Sequence, residues 1–456
     1  MDYNIVLQNI CSNNTKESPD RIQNHALRLI CGGMRSSPTS ACEISANIQP
    51  LELRRQKAAL DLYERAKRME ENHPCRIIIE DWKKLARLQQ KSILHVVNDL
   101  QTKHHLPANR QTIERVRKDQ PPNFLTKSPI IKTELIGNAN KKSDPHILKT
   151  SALETIDSYP KDWVHAYTDG SAFKATINAG SGSIITYPNK EIKEISNPCG
   201  AFCSNYVAEQ EAIDISITDI TNSFDISPET KCNVVIFTDS ISALQALMNE
   251  QDTSKETSKL ALNLNHLINK HQIDVVLQWI PGHSGIKGNE RADTLAKQGA
   301  NLPQPDVPVP YETAVQIIKS NMNVEWLNNW ATNATGRAVY NHMTKPNPKD
   351  PINRLQREEQ STIFRLRTGH VQLNSHLNRI KKDHPATCQL CLYPNETVEH
   401  HLFHCPKLKD LRECLLPHNP DVANTLYGSY EQLRRTSNFF YKASGRRATT
   451  HRPLVG

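Results

Sequence analysis

A chain of 456 residues is too long for one small domain, and at roughly 150 residues per domain it predicts about three. Its hydrophobic share of 37 % is enough for packed cores and leaves room for polar linkers. No apolar run approaches the roughly 18 residues of a membrane span. The opening Met-Asp-Tyr-Asn-Ile-Val lacks the basic and apolar segments of a secretory signal, so no membrane partner and no secretion are expected. Eleven cysteines, odd in number and irregularly spaced, suit a reducing compartment, nucleus or cytoplasm, better than a disulfide framework.

The net charge of +8 is unevenly spread: residues 1–150 carry +9, residues 160–300 carry −6 and residues 301–456 carry +7. Basic flanks suit a polyanionic partner, although solvated Lys-rich helices are the commoner reading of any single stretch. An acidic centre in such a chain suggests bound cations.

Residues 1–118 read as a helical region, with apolar positions at three- and four-residue spacing from Leu51 to Tyr63. Residues 119–160 hold scattered Pro, Asn, Lys and Ser without a period and read as a linker. The pattern changes at residue 161. Trp163 to Thr168 reads as a strand ending in an Asp169-Gly170 turn, and Ser181–Tyr187 with Glu191–Ser196 reads as a hairpin across Pro188-Asn189. Helices are expected over Tyr206–Ile217, Ser240–Asn249, Thr257–Lys270 and Gly288–Gly299. The fourth and fifth strands are expected over Asn233–Thr238 and Asp274–Ile280. This order predicts an α/β domain over 161–300, a mixed five-stranded sheet covered by helices, beside helical N- and C-terminal regions. The Pro-rich stretch 301–311 must be extended. Residues 312–433 return to helical character and include a Cys/His cluster at 388–405, and the basic tail 434–456 is expected to be disordered.

Four acids fall where such a sheet can gather them: Asp169 and Asp239 at strand C-termini, Glu209 early in the first domain helix, Asp293 in the last. Phosphodiester hydrolysis needs an activated water and a stabilised leaving oxygen, and two divalent ions supply both. Mg²⁺ takes oxygen ligands, so carboxylates are the expected donors. A lone Thr-Asp-Gly-Ser is usually only a turn; the ordered set is far more specific than any member.

Tyr167-Thr168-Asp169-Gly170-Ser171, Asn205-Tyr206-Val207-Ala208-Glu209, Phe237-Thr238-Asp239-Ser240, Gly282-His283-Ser284-Gly285 and Asn289-Glu290-Arg291-Ala292-Asp293 together resemble the type 1 ribonuclease H family over about 140 residues. The resemblance implies cleavage of the RNA strand of an RNA–DNA hybrid. It implies Asp169, Glu209, Asp239 and Asp293 as ligands of two Mg²⁺ ions, which Mn²⁺ can replace. It places Gly170, Ser171 and Asn205 near the substrate backbone, and His283 as a mobile active-site histidine serving proton transfer or product release. Without the motif, His283 reads as an ordinary loop residue. Some cellular members carry an extra basic helix that grips the hybrid; the stretch from Asn249 to Asp274 has room for one helix and is not strongly basic. Grip from the flanking regions is the expectation that follows.

The flanks resemble non-LTR retrotransposon polyproteins in Arg21-Ile-Gln-Asn-His-Ala-Leu-Arg-Leu-Ile-Cys-Gly-Gly33, in Pro50-Leu-Glu-Leu-Arg-Arg55 and in the Trp279-Ile-Pro-Gly-His-Ser284 form of the histidine loop. That makes a reverse transcriptase, in the same or a separate chain, an expected partner, although no Asp-Asp pair stands in this chain. The N-terminal region itself reads as a packing domain without chemistry. At the other end, Cys388, Cys391, His400 and Cys405 have the spacing of a tetrahedral Zn²⁺ site, with His401, His404 and Cys414 as rival ligands and a pair of ordinary reduced thiols as the plain reading. Two other functions compete with the hybrid nuclease: an idle nucleic-acid-binding remnant, and a DNA-directed nuclease or transposase, since related folds share carboxylate pairs.

Overall fold

The computed structural model describes residues 5–81, 92–113, 128–139, 143–249, 254–417 and 420–445. Helices α1 (Asn13–Cys31), α2 (Thr39–Ala46), α3 (Leu51–Lys67), α4 (Pro74–Asp81) and α5 (Ile93–His104) come first. Strand β1 (Ile130–Lys132) and helix α6 (Pro145–Asp157) follow. Then come β2 (Val164–Phe173), β3 (Ile177–Thr186), β4 (Ile192–Gly200), α7 (Asn205–Ile226), β5 (Val234–Thr238), α8 (Ile241–Met248), α9 (Lys255–His271), β6 (Val275–Trp279) and α10 (Lys287–Asn301). The remainder is helical: α11 (Tyr311–Thr332), α12 (Arg337–Tyr340), α13 (Arg357–Thr368), α14 (Asn374–Ile380), α15 (Lys409–Leu415), α16 (Val422–Tyr427) and α17 (Tyr430–Ala443).

The strands form one mixed sheet in the order β1-β6-β5-β2-β3-β4. β2, β5, β6 and β1 run parallel, and β3 and β4 add an antiparallel hairpin. β5 and β6 are buried at every position, as central parallel strands covered on both faces must be, which is why they read as apolar runs rather than alternating ones. Phe237 and Trp279 are among the largest fully buried side chains, in a core that also takes Ile213, Ile217, Ile220 and Phe224 from α7 and Leu260, Leu264, Leu267 and Ile268 from α9.

The sheet has six strands, not the expected five. β1 and α6 lie inside the stretch 119–160 that reads as a linker; its residues 119–127 and 140–142 lie outside the described residues. Three residues are too few to show a period, and β1 forms because the edge of β6 offers it a ladder. α6 is held by its own start signal, Asp144 accepting from the His146 N–H at 2.9 Å with Pro145 in the first turn. Leu148, Ala152 and Ile156, spaced four apart, join the sheet's core.

The chain divides into two compact units: residues 1–61, 87–104 and 318–456 form one, and residues 62–86 and 105–317 the other. The helical flanks, which read as separate regions, therefore fold together. Leu27 of α1, Cys42 of α2 and Phe364 of α13 share a buried cluster, and the Arg365 guanidinium donates to the Gly32 carbonyl at 2.8 Å. The Pro50–Arg55 motif is structural: Arg55 is 1 % exposed and pairs with Asp20 at 2.6 Å, while Arg54 donates to Gln23 at 2.7 Å, locking α3 to α1. Residues 434–443, expected in a disordered tail, belong to α17. A Ser429/Gln432 capping box starts this helix, and Leu433, Thr436, Ser437 and Phe440 bury one face. The rest of that tail, 446–456, lies outside the described residues.

Candidate active site and candidate metal centre

Strand register brings the first two acids together. β2 and β5 pair in parallel with Thr168 beside Thr238, so the next residues, Asp169 and Asp239, leave adjacent strands at the same end, about 4.8 Å apart across the sheet. Asp169 does not end its strand, as the Asp-Gly turn signal suggests. β5 stops at Thr238, but the antiparallel partner β3 keeps pairing, with Asp169 opposite Gly182 and Gly170 opposite Ser181. Asp239 is fixed from behind, its carbonyl accepting from the Trp279 indole N–H at 3.3 Å.

The third acid comes from α7, whose start is fixed by the Ser204 hydroxyl accepting from the Val207 N–H at 3.2 Å. Glu209 lies one turn further in. It reaches the strand because Gly170 has no side chain: a Cβ there would stand 2.3 Å from the Glu209 backbone nitrogen. One oxygen of each of Asp169, Glu209 and Asp239 lies within 4.8 Å of the others. Glu209 Oε2 is buried without a hydrogen-bond partner, an arrangement that costs free energy unless a cation or proton satisfies it. Burial, then the fields of Asp239 and Asp293, push the Asp169 carboxyl up to about 7. Burial, then Asp169 and Asp239, hold Glu209 well above the ordinary carboxylate range. A hard divalent cation is the chemical complement of such a cluster, and the donor set fits one.

Asp293, on α10, acts on Asp169 through its field but stands outside the three-acid cluster. It pairs instead with Lys297 at 2.6 Å, one helical turn on. Lys297 is not among the residues expected at the site from sequence, although an Asp and a Lys four apart on a helix are a readable pair. Asn205 is exposed, with its amide 3.4 Å from Glu209 Oε1. Gly170 is buried and Ser171 half-buried, so Gly170 serves the approach of α7 as well as any approach of substrate.

His283 sits exposed in the loop between β6 and α10. Its φ of 52° is in the left-handed region, uncommon for a residue with a side chain. The loop abuts the acids, because a Cβ on Gly282 would stand 2.1 Å from Asp239 Oδ2. A side chain there would have to displace the Asp239 carboxylate, a constraint that no local signal in the sequence reveals.

In the helical unit, Cys388, Cys391, His400 and Cys405 present ligand atoms that all lie within 4.8 Å of one another. The Cys391 sulfur is 3.3 Å from His400 Nε2. Leu392 holds a φ of 60°, closed by its N–H to the Cys388 carbonyl at 2.9 Å, and this tight turn aims both sulfurs at one point. Tyr393 stacks on the His400 ring at 4.6 Å. Arg412 donates to the carbonyls of Leu402 at 2.7 Å and Cys405 at 2.9 Å. Cys388 and Cys405 are fully buried, and burial pushes the Cys388 thiol up to about 11. The rival ligands stand elsewhere: His401 is buried against Phe439 and Phe440, and His404 and Cys414 are exposed.

Comparison with known proteins places residues 161–301 within the family model described as RNase H. The chain is 31% identical over 145 residues to a ribonuclease H of Alcanivorax borkumensis, a match spanning 29% of this chain and 88% of that protein. It is 29% identical over 149 residues to a ribonuclease H of Idiomarina loihiensis, across 30% of this chain and 87% of that protein. Among solved structures, RNase H1 from the halophilic archaeon Halobacterium salinarum matches at 22% identity with a TM-score of 0.25, covering 30% of this chain and 96% of that one.

Proposed function

Because the chain belongs to the ribonuclease H family through residues 161–301, we propose that it cuts the RNA strand of RNA–DNA hybrids in a metal-dependent reaction at Asp169, Glu209, Asp239 and Asp293. The observation that carries the metal reading is the convergence of three carboxylates, one with a buried oxygen lacking any partner. Two Mg²⁺ ions, or Mn²⁺ in their place, would supply an activated water and stabilise the leaving oxygen. The protein's part is to hold the acids. Asp169, Glu209 and Asp239 provide oxygen donors on rigid elements, and Asp293 provides a fourth, now screened by Lys297. Gly170 and Asn205 adjoin Glu209, and with Ser171 they are the residues that would contact the substrate backbone. His283, on a loop whose Gly282 lies against Asp239, would move a proton at the edge of the site.

In the helical unit, Cys388, Cys391, His400 and Cys405 would hold a structural Zn²⁺, since thiolate and imidazole donors suit zinc. The segments Arg21–Gly33 and Pro50–Arg55 support descent from a retrotransposon polyprotein, with a reverse transcriptase as partner and the nucleus or cytoplasm as the site of action. The test is a gel assay offering labelled hybrid, double-stranded DNA and double-stranded RNA, with Mg²⁺, with Mn²⁺ and with chelator. Cleavage of hybrid RNA that depends on the ion supports the reading. Equal cutting of double-stranded DNA, or cutting in chelator, overturns it.

A further inference from the structure

Strand β1 and helix α6 place a cation beside the histidine loop. β1 pairs in parallel with β6, Lys132 opposite Gln278, so the added segment leaves the sheet at the end where β6 opens into the loop of His283. α6 then packs on the nuclease core through Leu148, Ala152 and Ile156. Its exposed side carries Lys149, and a methyl group added at Gly285 would stand 2.8 Å from the Lys149 ammonium. The segment is tied in place by polar contacts on both sides. The Tyr159 hydroxyl donates to Gln278 Oε1 at 2.8 Å, Gln278 Nε2 donates to the Glu134 carbonyl at 3.1 Å, and the Ile136 N–H donates to Thr155 Oγ1 at 2.9 Å.

Several lysines of this unit are already matched by carboxylates. Lys259 pairs with Asp214 at 2.8 Å, Lys270 with Asp225 at 2.6 Å and Lys297 with Asp293 at 2.6 Å. Helix α9, where a gripping helix would have to lie, thus has two of its lysines already matched by carboxylates. Lys149 is exposed and forms no ion pair among the described residues. Residues 160–300, the core on which α6 packs, carry a net charge of −6, and a polyanion needs exposed cations to approach such a surface.

We propose that Lys149 is a substrate-binding residue that contacts a backbone phosphate of the hybrid beside the histidine loop, so that the β1–α6 segment supplies grip that α9 does not. This rests on the hybrid-nuclease reading. The test uses the full chain with Lys149→Ala and Lys149→Arg. Binding of a fluorescent RNA–DNA hybrid is followed by anisotropy without divalent ion over about 50–200 mM salt, and cleavage is followed in Mg²⁺. Lys149→Ala should weaken binding about five- to tenfold at low salt, and one lost phosphate contact should flatten the log–log salt slope by about 0.9. KM should rise while kcat changes less than about twofold, as for uniform binding lost from ground and transition states alike. Lys149→Arg should restore both affinity and slope. An unchanged slope in Lys149→Ala, or an Arg variant as weak as the Ala variant, overturns the proposal. A wild-type chain that binds hybrid without cutting it sinks the nuclease reading and leaves the salt slope to decide the Lys149 contact. A wild-type chain that does not bind hybrid overturns both.

Discussion

Replacing Asp169 by Asn removes one of three carboxylates whose oxygens crowd within 4.8 Å of one another, and the metal-free protein should gain stability as it loses activity. The unfolded carboxyl ionises near 3.8 and the folded one at about 7, chiefly because of burial. Between those values the folded state holds a proton that the unfolded state has released. Its stability therefore falls as pH rises through that window, and the penalty is complete above about pH 7. At about 1.4 kcal/mol for each tenfold change in proton affinity, the ceiling is about 4 kcal/mol. Asn weakens the hydrogen bond the carboxylate draws from the Gly170 backbone, which returns about 1–2 kcal/mol. The net gain is then about 2–3 kcal/mol, or several degrees for a unit of this size, at about 2–4 °C per kcal/mol. The assay is thermal unfolding of wild type and Asp169→Asn in chelator, from pH 4 to pH 8. The variant should melt higher at pH 8, and the gap should close as pH falls towards 4. Added Mg²⁺ should raise the wild-type midpoint more than the variant's, by mass action on a site the variant has damaged. A variant that melts at or below wild type at pH 8, or a gap that ignores pH, would show that the buried Asp169 carboxyl does not destabilise the metal-free fold.

Glu209→Gln and Asp239→Asn should each slow hybrid cleavage by about a thousandfold or more while keeping the fold, because a bound ion supplies several kcal/mol of charge stabilisation; single-turnover rates with circular dichroism check this, and a near-wild-type rate removes that residue from the site. His283→Ala should be milder, slowing turnover without eliminating it, because a proton carrier contributes about 10²–10⁴-fold at most; a pH–rate profile that keeps its shape would argue against proton transfer. Cys388→Ser/Cys391→Ser should lose its Zn²⁺ and lower the melting of the helical unit, since zinc binding there is folding free energy, while hybrid cleavage stays within about twofold of wild type; metal analysis of the purified protein showing equal zinc would place the ligands elsewhere.

The centre of the fold is legible in the sequence because its signals are local. Val234–Thr238 and Val275–Trp279 are short apolar runs, Asp239 directly follows the first of them, and Glu209 and Asp293 lie in stretches that read as helices. Less is legible where partners lie far away in sequence. Phe364 packs with Leu27 and Cys42, more than 300 residues distant, and an amphipathic pattern names a face without naming what covers it. The end of β2 is misread from sequence because Asp-Gly is a turn signal in isolation, whereas the continuing β3 ladder overrides it here. β1 carries no readable period. α6, by contrast, has its Asp144-Pro145 start and its Leu148, Ala152, Ile156 spacing in view, and composition alone hides it in a linker. The four zinc-type ligands follow from spacing, and the structure gathers those four rather than their rivals because the Leu392 turn and the His400–His404 turn close on one point.

Strand choice by the carboxylate site is the property that defines a hybrid nuclease. A hybrid duplex carrying a different fluorophore on each strand, incubated with the full chain in Mg²⁺, measures that choice in one reaction. The prediction is cleavage of the RNA strand alone, abolished by chelator, restored by Mn²⁺, and lost when the RNA 2′-hydroxyls, which let a protein tell the two strands apart, are replaced by hydrogen. Cutting of both strands at similar rates, or an intact RNA strand in both metals, would contradict it.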